Sequence, residues 1–389
     1  MNIPISRTEL HDDDIKIIEQ PLKSGWVVQG NFVKEFEDQF SEFTGAKHSI
    51  AVTSCTTALH LSLVALGFKE GDEAIVPAFT WISTANVVEH LGGKVIFCDI
   101  DLKTFNIDVN QIESKITPKT KAILPVHLFG LPSEMDKINE IAEKNNLIVV
   151  EDAACGFGSL YKNVHVGNFG NTGCFSFHPR KAITTGEGGM ITTNDDSLAL
   201  KLRSMRDHGA ELSDFQRHHG SKPYLLSEYP YAGYNYRLTD IQASIATTQM
   251  KRAVSIVEER KNIALKYNES LTYLKFFQLP YYDDILNHSY QSYPCIYENN
   301  NLSIDNVKTI NEKRNDFMDR LQNSGVSTRP ATHAVHMLEY YSKKYEIRPH
   351  DFPNSYMAND CSISFPLFNG LKKAEQDYVV QKIHGSLNK

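Results

Sequence analysis

The sequence is poor in the features that mark a secreted, membrane-spanning or nucleic-acid-binding chain. Its 389 residues hold six cysteines, Cys55, Cys98, Cys155, Cys174, Cys295 and Cys361, and no two form a C-x-x-C pair. That scatter argues against a zinc ribbon or a disulfide framework and predicts a reducing, cytoplasmic setting. No run of about 18 apolar residues occurs, so no membrane span is expected. Met1 to Arg7 carries no apolar signal core, so no leader is expected either. With a net charge of −7 and no basic run, the chain has no electrostatic footprint for nucleic acid. A nucleotide-type small ligand would still need only a local cationic pocket.

Several motifs are also missing. Gly156-Phe157-Gly158 follows a strand, but position 161 is Tyr161, so a dinucleotide fingerprint is not supported. Gly186-Glu187-Gly188-Gly189 lacks the lysine and hydroxyl residue of a nucleotide P-loop. His127, His178, His208, His333 and His336 never fall in a metal-ligand spacing beside a carboxylate, and no metal is expected. There is no internal repeat and no low-complexity segment.

What is present is an ordinary globular composition, 41% hydrophobic and 22% charged. The length predicts two domains, a large one over 1–250 and a smaller α+β one over 251–389. Apolar spacing predicts helices over 9–22, 33–43, 58–66, 83–91, 134–144 and 198–205. Short apolar runs predict strands over 49–52, 73–77, 94–99, 122–127, 146–150, 174–177 and 190–193. Short strands interleaved with helices imply an α/β fold, a doubly wound and mostly parallel sheet covered on both faces. A long helix capped by Thr239 or Asp240 and reaching past Tyr267 would connect the domains. Beyond it, strands over 290–297 and 362–365 and helices over 311–323 and 375–383 are expected.

Ligands of such sheets bind beyond the carboxyl ends of the strands. Three features fall there. Thr53-Ser54-Cys55-Thr56-Thr57 is a hydroxyl-rich helix start, either a simple cap or an anion site where N–H groups and the helix dipole converge. Asp152 ends a strand. Lys181 sits in the loop from Phe177 to Gly189, between two strands. Singly, each has a bland reading: a cap, a turn residue, a solvated charge. Together they are what pyridoxal phosphate requires: an amine for a Schiff base, a carboxylate for the ring nitrogen, and N–H groups for the phosphate. Trp81, just past the strand 73–77, is placed to stack on the ring.

The chain resembles the DegT/DnrJ/EryC1/StrS family of nucleotide-sugar aminotransferases, within fold type I of the pyridoxal-phosphate enzymes. The resemblance runs from Ser24-Gly25-Trp26 to Ser364-Phe365-Pro366-Leu367. It is carried most specifically by Glu151-Asp152-Ala153-Ala154, Phe175-Ser176-Phe177-His178-Pro179 with Lys181, and Thr184-Thr185-Gly186-Glu187-Gly188-Gly189. It implies a fold type I architecture, pyridoxal 5'-phosphate as cofactor and pyridoxamine phosphate as intermediate. The substrates it implies are glutamate and a nucleotide-linked keto-6-deoxy-sugar, used in building surface glycans such as lipopolysaccharide O-antigen. It also implies a homodimer with shared active sites. Lys181 would be the covalent anchor and proton carrier, and Asp152 the partner of the ring nitrogen. Cys55, Thr56 and Ser176 would hold the phosphate, and Trp81 would stack on the ring. Asn235 would reach the phosphate of the neighbouring subunit. Arg237 and Arg329 would contact substrate or donor carboxylates, with Gly30 and His333 also on the substrate side, in the loops 24–30 and 325–336.

The chain departs from the family at two positions. Cys155 stands where glutamine or histidine often contacts the cofactor's phenolic oxygen, and Cys55 stands where many members have glycine. A dehydratase of the same scaffold would carry histidine in the lysine slot, and a non-catalytic homologue would have lost Lys181 or Asp152. Both residues are present.

Overall fold

Seven strands form the main sheet of the computed structural model, which describes residues 1–220, 224–283 and 285–387. They are β1 (His48–Val52), β2 (Glu73–Pro77), β3 (Lys94–Cys98), β4 (Thr120–Ile123), β5 (Ile148–Asp152), β6 (Thr172–Ser176) and β7 (Gly189–Thr193). Their order is β1-β7-β6-β5-β4-β2-β3. Pairing is parallel from β6 to β3, and β7 alone runs against its neighbours β6 and β1. The expected mostly parallel sheet is thus observed.

The strand sequences explain why both faces are covered. Ala74, Val76, Ala122, Leu124 and Val150 point into one apolar core. Their immediate neighbours Ile75, Ile123 and Val149 point into another. Alternate residues face opposite sides of a strand, so a continuous apolar run can be buried only between two layers. The first layer holds α2 (Cys55–Ala65), α3 (Ser83–His90) and α4 (Asp196–Arg206); α1 (Asn31–Thr44) and α5 (Asp240–Met250) pack on the opposite face of the sheet, against Ala51, Phe175 and Met190.

A second, three-stranded antiparallel sheet joins β8 (Phe277–Gln278), β9 (Tyr293–Tyr297) and β10 (Ser362–Phe365). Phe277, Tyr293, Phe317 and Phe365 build its core, which also takes in Ile3 from the N-terminus. Val335, Tyr341 and Phe352 pack instead against the core of the main sheet.

Three expectations are corrected. The helix over 9–22 is two helices, Asp12–Lys16 and Glu19–Ser24. Pro21 lacks the N–H a continuous helix would need there, but is tolerated in the first turn of a new one. The strand over 122–127 ends at Ile123, because Pro125 cannot donate to a ladder; it resumes only as the single bridge Val126–Asp152. The long helix past Tyr267 breaks at Lys251 and Arg252 into α5 and α6 (Ala253–Leu271). Arg252 leaves helical geometry there, and its guanidinium donates to the buried Asp14 at 2.9 Å. Thr239 caps α5 as expected, accepting from the Gln242 N–H.

Candidate active site

Asp152 is the last residue of β5 and shares the strand parity of Val150, so its side chain faces the layer holding α2 and α3. It is 4% exposed. The Thr84 hydroxyl, from the first turn of α3, donates to Oδ2 at 2.7 Å, and the Ala154 N–H donates to Oδ1 at 3.1 Å. The neighbouring Glu151 faces the opposite layer. There it takes the N–H groups of Gly167, Phe169 and Gly170 and an Nε2–H bond from His127 at 2.8 Å. His127 must donate through Nε2, because its Nδ1 accepts the Ser133 N–H. Burial opposes the Glu151 charge, but His127 and the three N–H groups win and hold its carboxyl below the usual range. Two adjacent carboxylates are thus clamped on opposite faces of one strand end.

The start of α2 lies beside this strand end. Ser54 caps the helix by accepting from the Thr57 N–H, and Thr57 closes the reciprocal bond. The N–H groups of Cys55 and Thr56 have no carbonyl behind them within the helix. The Cys55 thiol lies 4.0 Å from Asp152 Oδ1 and 3.4 Å from the Cys174 carbonyl. Burial first, then the Asp152 charge, push that thiol well above its ordinary range, so it stays protonated. The Thr56 hydroxyl donates to Ser83 Oγ at 3.0 Å.

The first residue of β7 passes very close to this turn. A Cβ on Gly189 would sit 2.4 Å from the Ser54 carbonyl carbon and oxygen and 2.7 Å from the Cys55 nitrogen. Gly189→Ala is therefore expected to push the helix start away from the site. Overpacking of this kind costs about 1–3 kcal/mol. A thermal unfolding curve unchanged from wild type would contradict that placement.

Lys181 occupies a loop held from outside. The buried Gln249 of α5 accepts from the Thr184 N–H at 3.0 Å and donates to its carbonyl at 2.7 Å. The Thr184 hydroxyl also donates to the Phe177 carbonyl at 2.8 Å. These bonds pin the loop, and the Lys181 amine donates to Cys155 Sγ at 3.2 Å. Ser176 ends β6 and accepts from the His178 N–H at 3.4 Å. Burial, with Lys181 and Arg180 adding to it, keeps the His178 imidazole below its ordinary pKa. A cavity of about 280 Å³ opens beside Lys181, walled by Arg7, His11, Arg252 and Glu259 among others.

Trp81 is 59% exposed, and its ring lies 5.8 Å from that of His333. Sequence spacing gave no hint of that meeting; it arises because the short strand His333–Ala334 pairs with Phe79–Thr80. The Gly30 N–H is committed to Asp240 at 2.8 Å, at the start of α1. Asn235 is exposed and bridges Asp207 through its backbone. Arg237 is ion-paired with the Asp207 carboxylate. The Arg329 backbone bridges Ser364, and its Nε is buried with no partner among the described residues. Part of the variable loop 210–230, residues 221–223, lies outside the described residues.

Sequence reasoning passed over Thr84 and Ser83. A signal for them existed: two hydroxyl residues at a helix start just past a strand end, the same pattern that marked 54–57. Among the described residues no group of acidic, histidine and cysteine side chains could hold a metal ion, and no helix is long and apolar enough to cross a membrane.

The model of the DegT/DnrJ/EryC1/StrS aminotransferase family matches residues 8–384. The chain belongs to this family. It is 38% identical, over 94% of its length and 92% of the relative's, to an uncharacterized protein of Methanocaldococcus jannaschii. It is 33% identical, over 98% and 96%, to the spore coat polysaccharide biosynthesis protein SpsC of Bacillus subtilis. Among solved structures, Spr1654 of Streptococcus pneumoniae, assigned as a sugar aminotransferase and solved in a PMP form, superposes with TM-score 0.91 at 26% identity, covering 100% of this chain and 99% of that one. PseC of Helicobacter pylori, an aminotransferase in pseudoaminic acid biosynthesis, superposes with TM-score 0.89 at 25% identity, covering 100% of both chains. The fold is that of the family's aminotransferases, as the sequence implied.

Proposed function

We propose that this family member is a pyridoxal-phosphate-dependent aminotransferase that moves the amino group of glutamate to the keto group of a nucleotide-linked keto-6-deoxy-sugar. The observation that carries this reading is that the Cys55 thiol, in the first turn of α2, lies 4.0 Å from the clamped Asp152 carboxylate and within the field of the Lys181 amine, which itself meets Cys155 just past Asp152. That donor set fits the cofactor: an amine for its aldehyde, a buried anion for its ring nitrogen and an anion-binding helix start for its phosphate. When bound, pyridoxal phosphate supplies an electron-accepting ring and, as pyridoxamine phosphate, carries the amino group between the two half-reactions.

The chain's own groups do the rest. Lys181 Nζ takes the proton from the amine-bearing carbon of the donor and later returns one to the sugar carbon that receives the amine. Asp152 would pair with the ring nitrogen and hold positive charge there. Cys55, through its backbone N–H, Thr56 and the Ser176 hydroxyl would hold the phosphate, and Trp81 would stack on the ring face. Cys155 lies against the Lys181 amine at the position where glutamine or histidine is frequent in the family. Arg329, whose buried Nε has no partner among the described residues, is the contact for a substrate carboxylate. Arg237 reaches a ligand only by exchanging Asp207, and Gly30 and His333 line the sugar side.

The protein works as a homodimer in the cytoplasm, with Asn235 completing the phosphate site of the partner subunit. Asn235 is exposed in one chain, and so are Leu212, Leu226, Tyr229 and Tyr231 on the stretch before it, an apolar surface that a second copy would cover. SpsC and PseC act in polysaccharide and pseudoaminic acid synthesis, which supports a role in surface-glycan building for this chain.

The test is incubation of the yellow holoenzyme with glutamate and a panel of UDP-, dTDP- and GDP-linked keto-sugars, scored by the mass change from ketone to amine. A yellow protein that aminates none of them would remove the proposed acceptor. Asp152→Asn is expected to retain cofactor and lose turnover by about 100-fold or more, since an amide cannot hold charge at the ring nitrogen. Steady-state kinetics at wild-type rate in that variant would overturn the role.

A further inference from the structure

Asp152 has two hydrogen-bond donors at short range, and only one is a side chain. Thr84 is fully buried, and its single hydroxyl proton has three oxygens within reach. Asp152 Oδ2 lies at 2.7 Å, the Trp81 carbonyl at 3.2 Å and Thr80 Oγ1 at 3.4 Å. The charged acceptor at the shortest distance takes the proton. Thr80, itself 1% exposed, then becomes the donor to Thr84, and the two hydroxyls form a short chain ending on the carboxylate. The preceding residue, Ser83, accepts from the Thr56 hydroxyl at the anion-binding start of α2. One turn of α3 therefore touches both the carboxylate and the helix start, and Trp81 leads directly into it.

We propose that Thr84 is a positioning residue for the reaction, fixing the orientation of the Asp152 carboxylate relative to the cofactor site through its hydroxyl. The inference rests on the reading of the site as a pyridoxal-phosphate site. Without the hydroxyl, Oδ2 would face a methyl group, and the carboxylate would keep only the Ala154 N–H and the more distant Cys55 thiol, both at its other oxygen. Losing a partner to a charged group of this kind weakens the function it serves by about 10- to 100-fold.

The test compares wild type with Thr84→Val, which keeps the shape, Thr84→Ser, which keeps the hydroxyl, and Thr84→Ala as a second deletion of the donor should the valine variant not fold. Two quantities are read: the affinity of cofactor-free protein for pyridoxal phosphate by absorbance titration, and kcat and KM of the loaded enzyme with glutamate. The valine and alanine variants are expected to bind cofactor about 10-fold more weakly and to lose about 10-fold in kcat at unchanged KM, with serine restoring both. A deletion variant with wild-type affinity and kcat overturns the proposal. So does a serine variant no better than valine, which would assign Thr84 to packing alone. Wild-type protein that takes up no pyridoxal phosphate overturns the functional reading and this inference together; uptake by wild type with an unaffected Thr84→Val overturns only the latter.

Discussion

Lys181→Ala is expected to remove both covalent capture of the cofactor and turnover. With pyridoxal phosphate and borohydride, wild-type protein should gain a stable mass adduct that maps to the peptide holding Lys181; the variant should gain none. Turnover should fall by about 10⁴-fold, the upper range for a positioned group that moves protons, because in the proposed function this amine also anchors the cofactor. The structure makes the substitution specific. The Lys181 loop is pinned through Thr184 to Gln249 and Phe177, so removing the side chain leaves its backbone supports in place. Arg180 is adjacent in sequence but cannot replace it, since a guanidinium is always protonated and is no nucleophile. An adduct retained on Lys181→Ala would place the anchor elsewhere.

The largest expected effect on stability is at Glu37 of α1. It is 5% exposed, accepts the Ala51 N–H of β1 at 2.9 Å, and is ion-paired with Arg203 and Arg206 of α4. Arg206 is itself 3% exposed and also donates to the Ala51 carbonyl, at 2.7 Å. One carboxylate therefore ties α1, the edge strand β1 and α4 together. Glu37→Ala would strand a buried guanidinium, which costs about 3–5 kcal/mol. Urea unfolding of the cofactor-free protein reads this, and a loss below about 1 kcal/mol would show that water or a shifted side chain satisfies Arg206.

The same network predicts a pH dependence. Burial raises the Glu37 pKa, but Arg206, Arg203 and the Ala51 N–H outweigh it, so the folded value lies below the ordinary 4.5. Glu151 is depressed in the same way. For a carboxyl whose folded pKa is lowered, the stabilisation is complete above the unfolded value and is lost as pH falls through the folded one. Stability from both should therefore hold at neutral pH and decline only below about pH 4.5. In Glu37→Ala that acid-side decline should be shallower. Because β1 runs directly into Ser54, loosening this network should also weaken cofactor binding at the start of α2.

The sequence alone determined the α/β class and the approximate places of the sheet strands, and it singled out Lys181, Asp152 and the helix start at 54–57 as candidates. These properties are local: strand and helix periodicity, a hydroxyl-rich helix start and a lysine in a loop between strands are all written in adjacent residues. The bounds of β2 and β10 could be read to the residue, Glu73–Pro77 and Ser362–Phe365. Helix continuity was misjudged where one residue decides it. Helices that apolar spacing alone would continue break near Pro21, which lacks an N–H, and at Arg252, whose backbone is non-helical and whose side chain pairs with Asp14, far away in sequence.

What only the tertiary structure decided is which side chains meet the candidate residues. Thr84 and Asp152 are 68 residues apart and meet because β2 and β5 belong to one sheet with α3 packed on the face that Asp152 shares with Val150. His333 reaches Trp81 only through a two-residue strand pairing that carries no sequence pattern of its own. Arg237 reads in sequence as a candidate contact for a substrate or donor carboxylate, yet the fold places the Asp207 carboxylate against it. A residue's chemistry is local and legible, whereas its hydrogen-bond partners are set by the packing of distant elements.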